Sequence, residues 1–412
     1  GELFSVPAKE GFIKNLTSSS GVAERLPAWS PNGQYIAYWS DRSGEYELTL
    51  KDITTQQEKK ITSLGKGYRY GIYWSPDSKK IAFINQAMVI KIVDITNGKV
   101  TRVDQGSGML HGPLQGFKIS WSAGSRWIAY ISTNDNNTSS IVLYDYQNKK
   151  KHRITSEFYG HAEPTFDPQG KYLYVTTHRS FSPLYSNYQN TFVYANATRI
   201  AAITLRKDVV SPLTPKNDEV KVTKASGDKK KDSKPKSDKS KSKSKTLQID
   251  LDGIESRLVL LPIPPGNYGN LTAVKGKLIY QQFPNTGSGR GFAPIKYFDL
   301  KSRKSKTIIK NAGFFVVSAN GKKILVGQGR NNVGIINVAP GQKVKKPLRI
   351  RALEAVIDPK AEWKQIFNDA WRLSRDYFYD ARMHGVYWNK VKKQYSKLLD
   401  DEVTRWEVKY VI

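Results

Sequence analysis

"AWSPNGQYIAYWSD", residues 28–41, contains a whole structural unit in miniature. Trp29 closes one extended segment, "SPNG" (30–33) reverses the chain, and "YIAYWS" (35–40) alternates as a strand does. Proline suits the first corner of a tight turn, and glycine or asparagine accepts its left-handed corner. The unit recurs as "YWSPDSKKIAFIN" (73–85), "SWSAGSRWIAYIS" (120–132) and "TFDPQGKYLYVTT" (165–177), with weaker copies "TAVKGKLIYQQF" (272–283) and "VVSANGKKILVGQG" (316–329). The anchors Trp29, Trp74, Trp121 and Phe166 are 45, 47 and 45 residues apart, and Gly276 and Gly321 in the weaker copies are again 45 apart. Two further strands follow each unit, as in "MVIKIVDI" (88–95) and "KVTRVD" (99–104).

Four strands per repeat of about 45 residues predict a β-propeller blade. A row of independent hairpins fails on energetics, because a lone small sheet leaves one apolar face in water, whereas stacked blades cover each other. The chain therefore reads as mainly β, a six- or seven-bladed propeller over residues 1–355, with residues 1–19 supplying strands of a shared or closing blade. One interval breaks the rhythm. Between Phe166 and Thr272 lie an aromatic, Asn-rich stretch (180–199) and a lysine-rich tract, flanked by the strand-like "RIAAITL" (199–205) and "TLQIDL" (246–251). Residues 213–246 are expected to be a disordered loop within one blade, being poor in apolar residues and rich in like charge.

The net charge of +30 raises the question of nucleic acid. Residues 216–245 hold 12 Lys against 5 Asp and Glu, and the rest of the excess is spread through strand-like sequence. No basic helical stripe and no aromatic-basic sheet motif accompanies it, so nucleic acid is not the expected partner. The tract reads as a solvated loop; the sharper reading, an anion-binding tail, would make binding strongly salt-dependent. With no cysteine there is no disulfide, thiolate zinc site or cysteine nucleophile. His111, His152, His161 and His178 fall in different repeat units without ligand spacing, so no metal and no cofactor is expected. No run of about 20 apolar residues predicts a membrane span. The opening "GELFSVPAKEGF" reads as the interior of a strand, and thus of a longer protein.

After Pro359 the periodicity becomes helical, with Trp363, Ile366, Phe367, Ala370, Trp371, Leu373, Ser374, Tyr377 and Phe378 at three-four spacing. Asp358-Pro359 is a helix-start signal, a second helix is expected over 388–399, and a third element, "VTRWEVKYVI", follows. The loop "YDARMHGV" (379–386) between the first two carries His384 and Gly385. Nothing in the spacing alone makes His384 catalytic.

"EWKQIFNDAWRLSRDYFYDARMHGVYW" (362–388) resembles the opening of the catalytic core of tricorn-type serine proteases. Residues 2–48, "ATRIAAITLRKDVVSPLTP" (197–215) and "IDLDGIESRLVLLPIPPGNYGNL" (249–271) resemble that family's second propeller. The WSPDG-type repeat is shared by many TolB- and tricorn-like propellers; its combination with the MHG loop is more specific. The resemblance implies a propeller followed, over 356–412, by the helical start of the protease core domain, with PDZ and second core domains elsewhere in the same polypeptide. It implies that His384 is the general base toward a serine outside these residues, a role suited to imidazole, with Gly385 letting its loop bend. Met383 stands where the family's catalytic group has a serine, and Tyr387 where an acidic residue is usual. Peptide or unfolded polypeptide as substrate, a homo-oligomer and a periplasmic home (or else a cytoplasmic one) are further implications, as is inactivity of this segment alone. The reading from a different class is a non-catalytic propeller that serves as an interaction platform.

Overall fold

Each aromatic anchor closes the first strand of a sheet. A computed structural model describes residues 1–106, 111–180, 182–215, 247–289 and 293–412. In it Trp29, Trp74, Trp121 and Phe166 end the strands Glu24–Trp29, Tyr73–Trp74, Ser120–Trp121 and His161–Phe166. The weaker copies behave alike, with Val274 and Val317 ending Asn267–Val274 and Phe314–Val317. The left-handed corner of the following turn is occupied in all six copies, by Gly33, Ser78, Ser125, Gly170, Gly276 and Gly321. The serine after the anchor fastens that turn. Ser30 Oγ accepts the Tyr35 N–H (2.9 Å), Ser75 Oγ that of Lys80 (2.9 Å), Ser122 Oγ that of Trp127 (3.0 Å) and Ser318 Oγ that of Lys323 (3.0 Å). In the fourth copy Asp167 replaces the serine and accepts from Lys171 at 3.1 Å.

Among the described residues the blade strands pair antiparallel into five four-stranded sheets and one three-stranded sheet, Phe314–Val317, Lys323–Gly327 and Val333–Asn337. These are the blades of a six-bladed propeller, followed by a short helical C-terminal region. First strands of blades 2, 3, 4 and 5 touch in succession, so they line the inner wall. A short helix, α1 (His111–Gln115), lies between blades 2 and 3. Residues 1–19 hold a two-stranded ribbon of their own, Phe4 opposite Asn15 and Ser5 opposite Lys14. Leu3 and Leu16 from this segment pack on Ile36 and Tyr38 of blade 1.

The pleat explains how blades stack, because alternate side chains leave opposite faces of a strand. Ile81 and Phe83 of blade 2 meet Trp39 and Leu48 of blade 1, with the Trp39 and Phe83 rings edge-on at 4.9 Å. Ala82 and Ile84 of the same strand meet Ile128 and Tyr130 of blade 3. Indoles add directional bonds between neighbours. Trp74 Nε1 donates to the Ala28 carbonyl (3.0 Å), and Trp121 Nε1 donates to the Tyr73 carbonyl (2.9 Å). Phe166 has no such donor; there Ser120 Oγ accepts the Phe166 N–H instead (3.0 Å).

The inner strands of blades 1, 4 and 5 are bulged, each around one left-handed residue, Leu26, Glu163 and Asn270. A bulge re-aims side chains locally. The Glu163 carboxylate accepts from Lys118 Nζ of blade 3 (3.0 Å) and from the Leu271 N–H of blade 5 (3.3 Å), tying three blades at the inner wall.

Blade 4 corrects one expectation. "TLQIDL" is not a strand: residues 247–251 run without regular structure, Leu247, Ile249 and Leu251 packing on the apolar layer between blades 3 and 4. The fourth strand is Leu258–Leu260, paired with Arg199–Thr204. The long insertion does fall between strands of one blade, but residues 216–246 of the lysine-rich tract lie outside the described residues. No helix among the described residues is long and apolar enough to cross a membrane.

Two substitutions separate packing from bonding between blades. Trp39→Ala, which empties a fully buried site, is expected to cost about 3–5 kcal/mol in urea unfolding. Trp121→Phe keeps a ring and loses the bond to Tyr73; its expected cost is about 1 kcal/mol.

Candidate functional site

The helix α2 (Pro359–Tyr377) begins where Asp358-Pro359 placed it, with the Asp358 side chain accepting the Ala361 N–H at 3.2 Å. Its Trp363 and Phe367 are buried with Leu399 and Val408, so the apolar stripe is spent on the turn Ser396–Asp400, which follows the short helix α3 (Trp388–Tyr395), and on α4 (Arg405–Val411). The second helix is shorter than expected, since Ser396–Asp400 tightens into a 3-10 turn. Trp371 and Trp388 lock the first two helices: each indole N–H donates to the other's carbonyl (3.0 and 3.1 Å).

A different face of α2, polar and absent from the apolar periodicity, holds it on the propeller. Arg372 and Asp41 form an ion pair of 2.5 Å with both side chains 6% exposed, and Arg372 also donates to the Gly44 carbonyl (2.7 Å). Arg375 grips both oxygens of Glu45 at 2.5 and 2.9 Å. Tyr46 donates to Asp369 (2.8 Å), and burial pushes its phenol well above the usual range. Tyr377 meets Tyr70 hydroxyl to hydroxyl. Gly21 lies under the helix start in a left-handed conformation, where a Cβ would come within 2.9 Å of Ala361. The propeller's side of this contact is mostly one segment, "DRSGEY" (41–46), the link between the second and third strands of blade 1. The signal was present as Asp369, Arg372 and Arg375 at helical spacing.

Beyond Tyr377 the chain folds back through the loop that carries His384. Met383, His384 and Gly385 are all left-handed, with φ of 51°, 52° and 82°. For the two residues with a Cβ this conformation costs roughly 1–2 kcal/mol each. Asp380 offsets that cost, accepting the Arg382 and His384 N–H groups on its two carboxylate oxygens, both at 2.9 Å. Gly385 has open space around its Cβ position, so its role is conformational. The His384 side chain is 57% exposed. Its Nε2 meets the Tyr379 hydroxyl, its Nδ1 lies 3.8 Å from Asp380 Oδ2, and Phe378 packs edge-on against the ring at 5.4 Å. Ser374, Tyr377, Phe378, Met383, Val386 and Trp388 enclose with it an open cleft of about 580 Å³.

The other histidines stand differently from expectation in one respect. His161 and His178 share a blade, at the start of the first strand and just past the end of the second. His152 lies on the outer strand of blade 3, and the side chain of His111 lies outside the described residues. No group of three or more His, Asp or Glu suited to a metal occurs among the described residues. His161 is 2% exposed with neither ring nitrogen hydrogen-bonded, and burial, with Arg179 nearby, pushes its pKa down to about 4.

Two measurements test this geometry. Arg372→Met strands Asp41 without its partner and is expected to cost about 3–5 kcal/mol, read as faster hydrogen exchange across residues 359–377. The unfolded chain protonates His161 near its ordinary value while the folded chain resists until about pH 4. His161 therefore withdraws stability as pH falls from about 6.5 to 4. His161→Gln should lessen the fall in stability over that window, seen as a wild-type-minus-variant difference that changes with pH.

Residues 1–337 match the family model described as "Tricorn protease second beta propeller domain", and residues 359–412 match "Tricorn protease C1 domain". The chain is 26% identical to the tricorn protease of Thermoplasma volcanium over 90% of this chain and 34% of that one. It is 24% identical to tricorn protease homolog 1 of Streptomyces coelicolor, over 99% of this chain and 40% of the relative. The chain thus spans well under half the length of these relatives. A crystal structure of the tricorn protease superposes with a TM-score of 0.78 at 18% identity, over the whole of this chain and 38% of that one.

Proposed function

Since the chain belongs to the tricorn protease family, we propose that it is the second-propeller and core-entry portion of a serine endopeptidase that degrades peptides or unfolded polypeptides. The observation that carries this is the mounting of α2. Arg372, Arg375 and Tyr377 fix the helix to the strand ends of blades 1 and 2, and Tyr377, at the helix end that leads into the His384 loop, packs on Tyr68 and Tyr70, the former held by Arg25 of blade 1. Polypeptide that passes the propeller would meet the core there.

For His384 two roles differ in what they require. As general base it must offer Nε2 to a serine hydroxyl, giving up Tyr379. As a loop lock it keeps Tyr379, and its work is to hold the left-handed turn that joins α2 to α3. The engagement of the imidazole within its own loop by Tyr379 and Phe378, with Asp380 holding the His384 main-chain N–H, favours the lock.

The test uses the full-length protein and a serine-reactive fluorophosphonate. A general base predicts that His384→Gln slows labelling and kcat by about 100-fold or more, while Tyr379→Phe labels normally. A lock predicts that both substitutions act alike, lowering activity less than about tenfold and loosening residues 379–388 in hydrogen exchange. A well-folded wild type in which no serine is labelled would remove the peptidase reading and leave the interaction platform.

A further inference from the structure

Blade 4 carries an appendage that the other blades lack among the described residues. The link between its second and third strands, residues 178–198, folds into a ribbon of Leu184–Ser186 against Thr191–Val193. This ribbon is a two-stranded sheet by itself, so each strand has an outer edge. Its side chains are strongly apolar and face water: Tyr188 is 96% exposed, and Leu184, Tyr185 and Phe192 are all more than half exposed. Phe158, 79% exposed, and Tyr159 extend this surface from the segment entering blade 4, their rings edge-on at 4.8 Å. A cluster of exposed apolar and aromatic side chains of this kind marks a binding region.

Beneath the ribbon opens a cleft of about 830 Å³ whose walls include Tyr159, His178, Arg179, Tyr194, Asn196 and Asn267. None of the residues lining it is acidic. Arg179 lies 4.9 Å over the Tyr159 ring and pairs with Glu255, a residue outside the lining that is also bonded to Ser156. Links between second and third strands emerge at one end of a propeller. The corresponding link of blade 1 is the segment that seats α2. The ribbon and the His384 loop therefore rise from the same end of the ring, over blades 4–5 and blades 1–2.

We propose that the ribbon and cleft form a docking site for an extended, unfolded polypeptide segment in which apolar residues flank an acidic side chain. Tyr185, Tyr188 and Phe192 take the apolar side chains, a ribbon edge pairs with the segment's backbone, and His178 and Arg179 receive the carboxylate. The complementary charge of the occupant follows from the cleft itself, whose lining holds Arg179 and His178 and no carboxylate. The proposal rests on the peptidase reading only for where such a segment goes next.

The experiment measures fluorescence anisotropy of a labelled, amide-capped peptide of alternating Leu, Phe and Asp, with the full-length protein and with its Tyr188→Ser/Phe192→Ser variant. Both replaced side chains are exposed, and an unchanged melting temperature confirms that the variant folds. The expected result is a Kd at least about tenfold weaker in the variant. The Asp→Asn peptide should bind wild type about fivefold more weakly, a difference that Arg179→Gln erases. Equal affinity in wild type and double variant overturns the site, and equal affinity for the Asp and Asn peptides overturns the acidic preference. Cleavage of the same peptide is followed separately. Ribbon-dependent binding without cleavage supports the docking site and removes the peptidase reading; cleavage with ribbon-independent binding does the reverse.

Discussion

A four-stranded sheet has two faces and cannot hide both alone. Everything else in this chain follows from how that constraint is met. Trp39 and Leu48 reach Ile81 and Phe83 in the next blade, and Ala82 and Ile84, one position along the same strand, reach the blade after. Each sheet is thus both a lid for its predecessor and a floor for its successor. Even the ribbon of residues 1–19 follows the rule, because Leu3 and Leu16 cover the face of blade 1 turned away from blade 2.

The ring so made offers two kinds of ground. Along the inner wall, bulges at Leu26, Glu163 and Asn270 turn backbone and side chains out of the regular ladder, and Lys118 and Glu163 bind three blades by charge. At the end where second strands turn into third strands, connections are free to vary in length and content. One of them, Asp41–Tyr46, became the seat of a helix; another, in blade 4, became an aromatic ribbon. The seat is polar and buried, an arrangement in which orientation is fixed by paired charges and each partner is costly to lose singly.

Much of this was legible in the sequence because a repeat states its own structure several times. Turn chemistry and the alternating strand coincide six times over, four of them behind an aromatic anchor, and the helix start at Asp358-Pro359 is equally local. What could not be read depends on distance or on competition. The pairing of Arg372 with Asp41 joins residues 331 apart in sequence, and no periodicity reports it. "TLQIDL" alternates like a strand but lost its place to Leu258–Leu260, which pairs with Arg199–Thr204 while Leu247, Ile249 and Leu251 fill space between blades. The sharing of one blade by His161 and His178 was likewise obscured, since one begins a first strand and the other follows a second. The MHG loop was recognisable by resemblance, yet its three left-handed residues and its reliance on Tyr379 and Asp380 emerge only from geometry.

The bonds from Trp74 and Trp121 to the preceding blade end on main-chain carbonyls, those of Ala28 and Tyr73. A carbonyl accepts whatever side chain its residue bears. Each weld therefore restrains one position in the sequence instead of two, and the accepting position drifts without breaking it. Such one-sided bonding gives an array room to diverge unit by unit while its blades stay in register. In this chain Phe166 already stands in the tryptophan's place, and a hydroxyl from Ser120 has taken over the link.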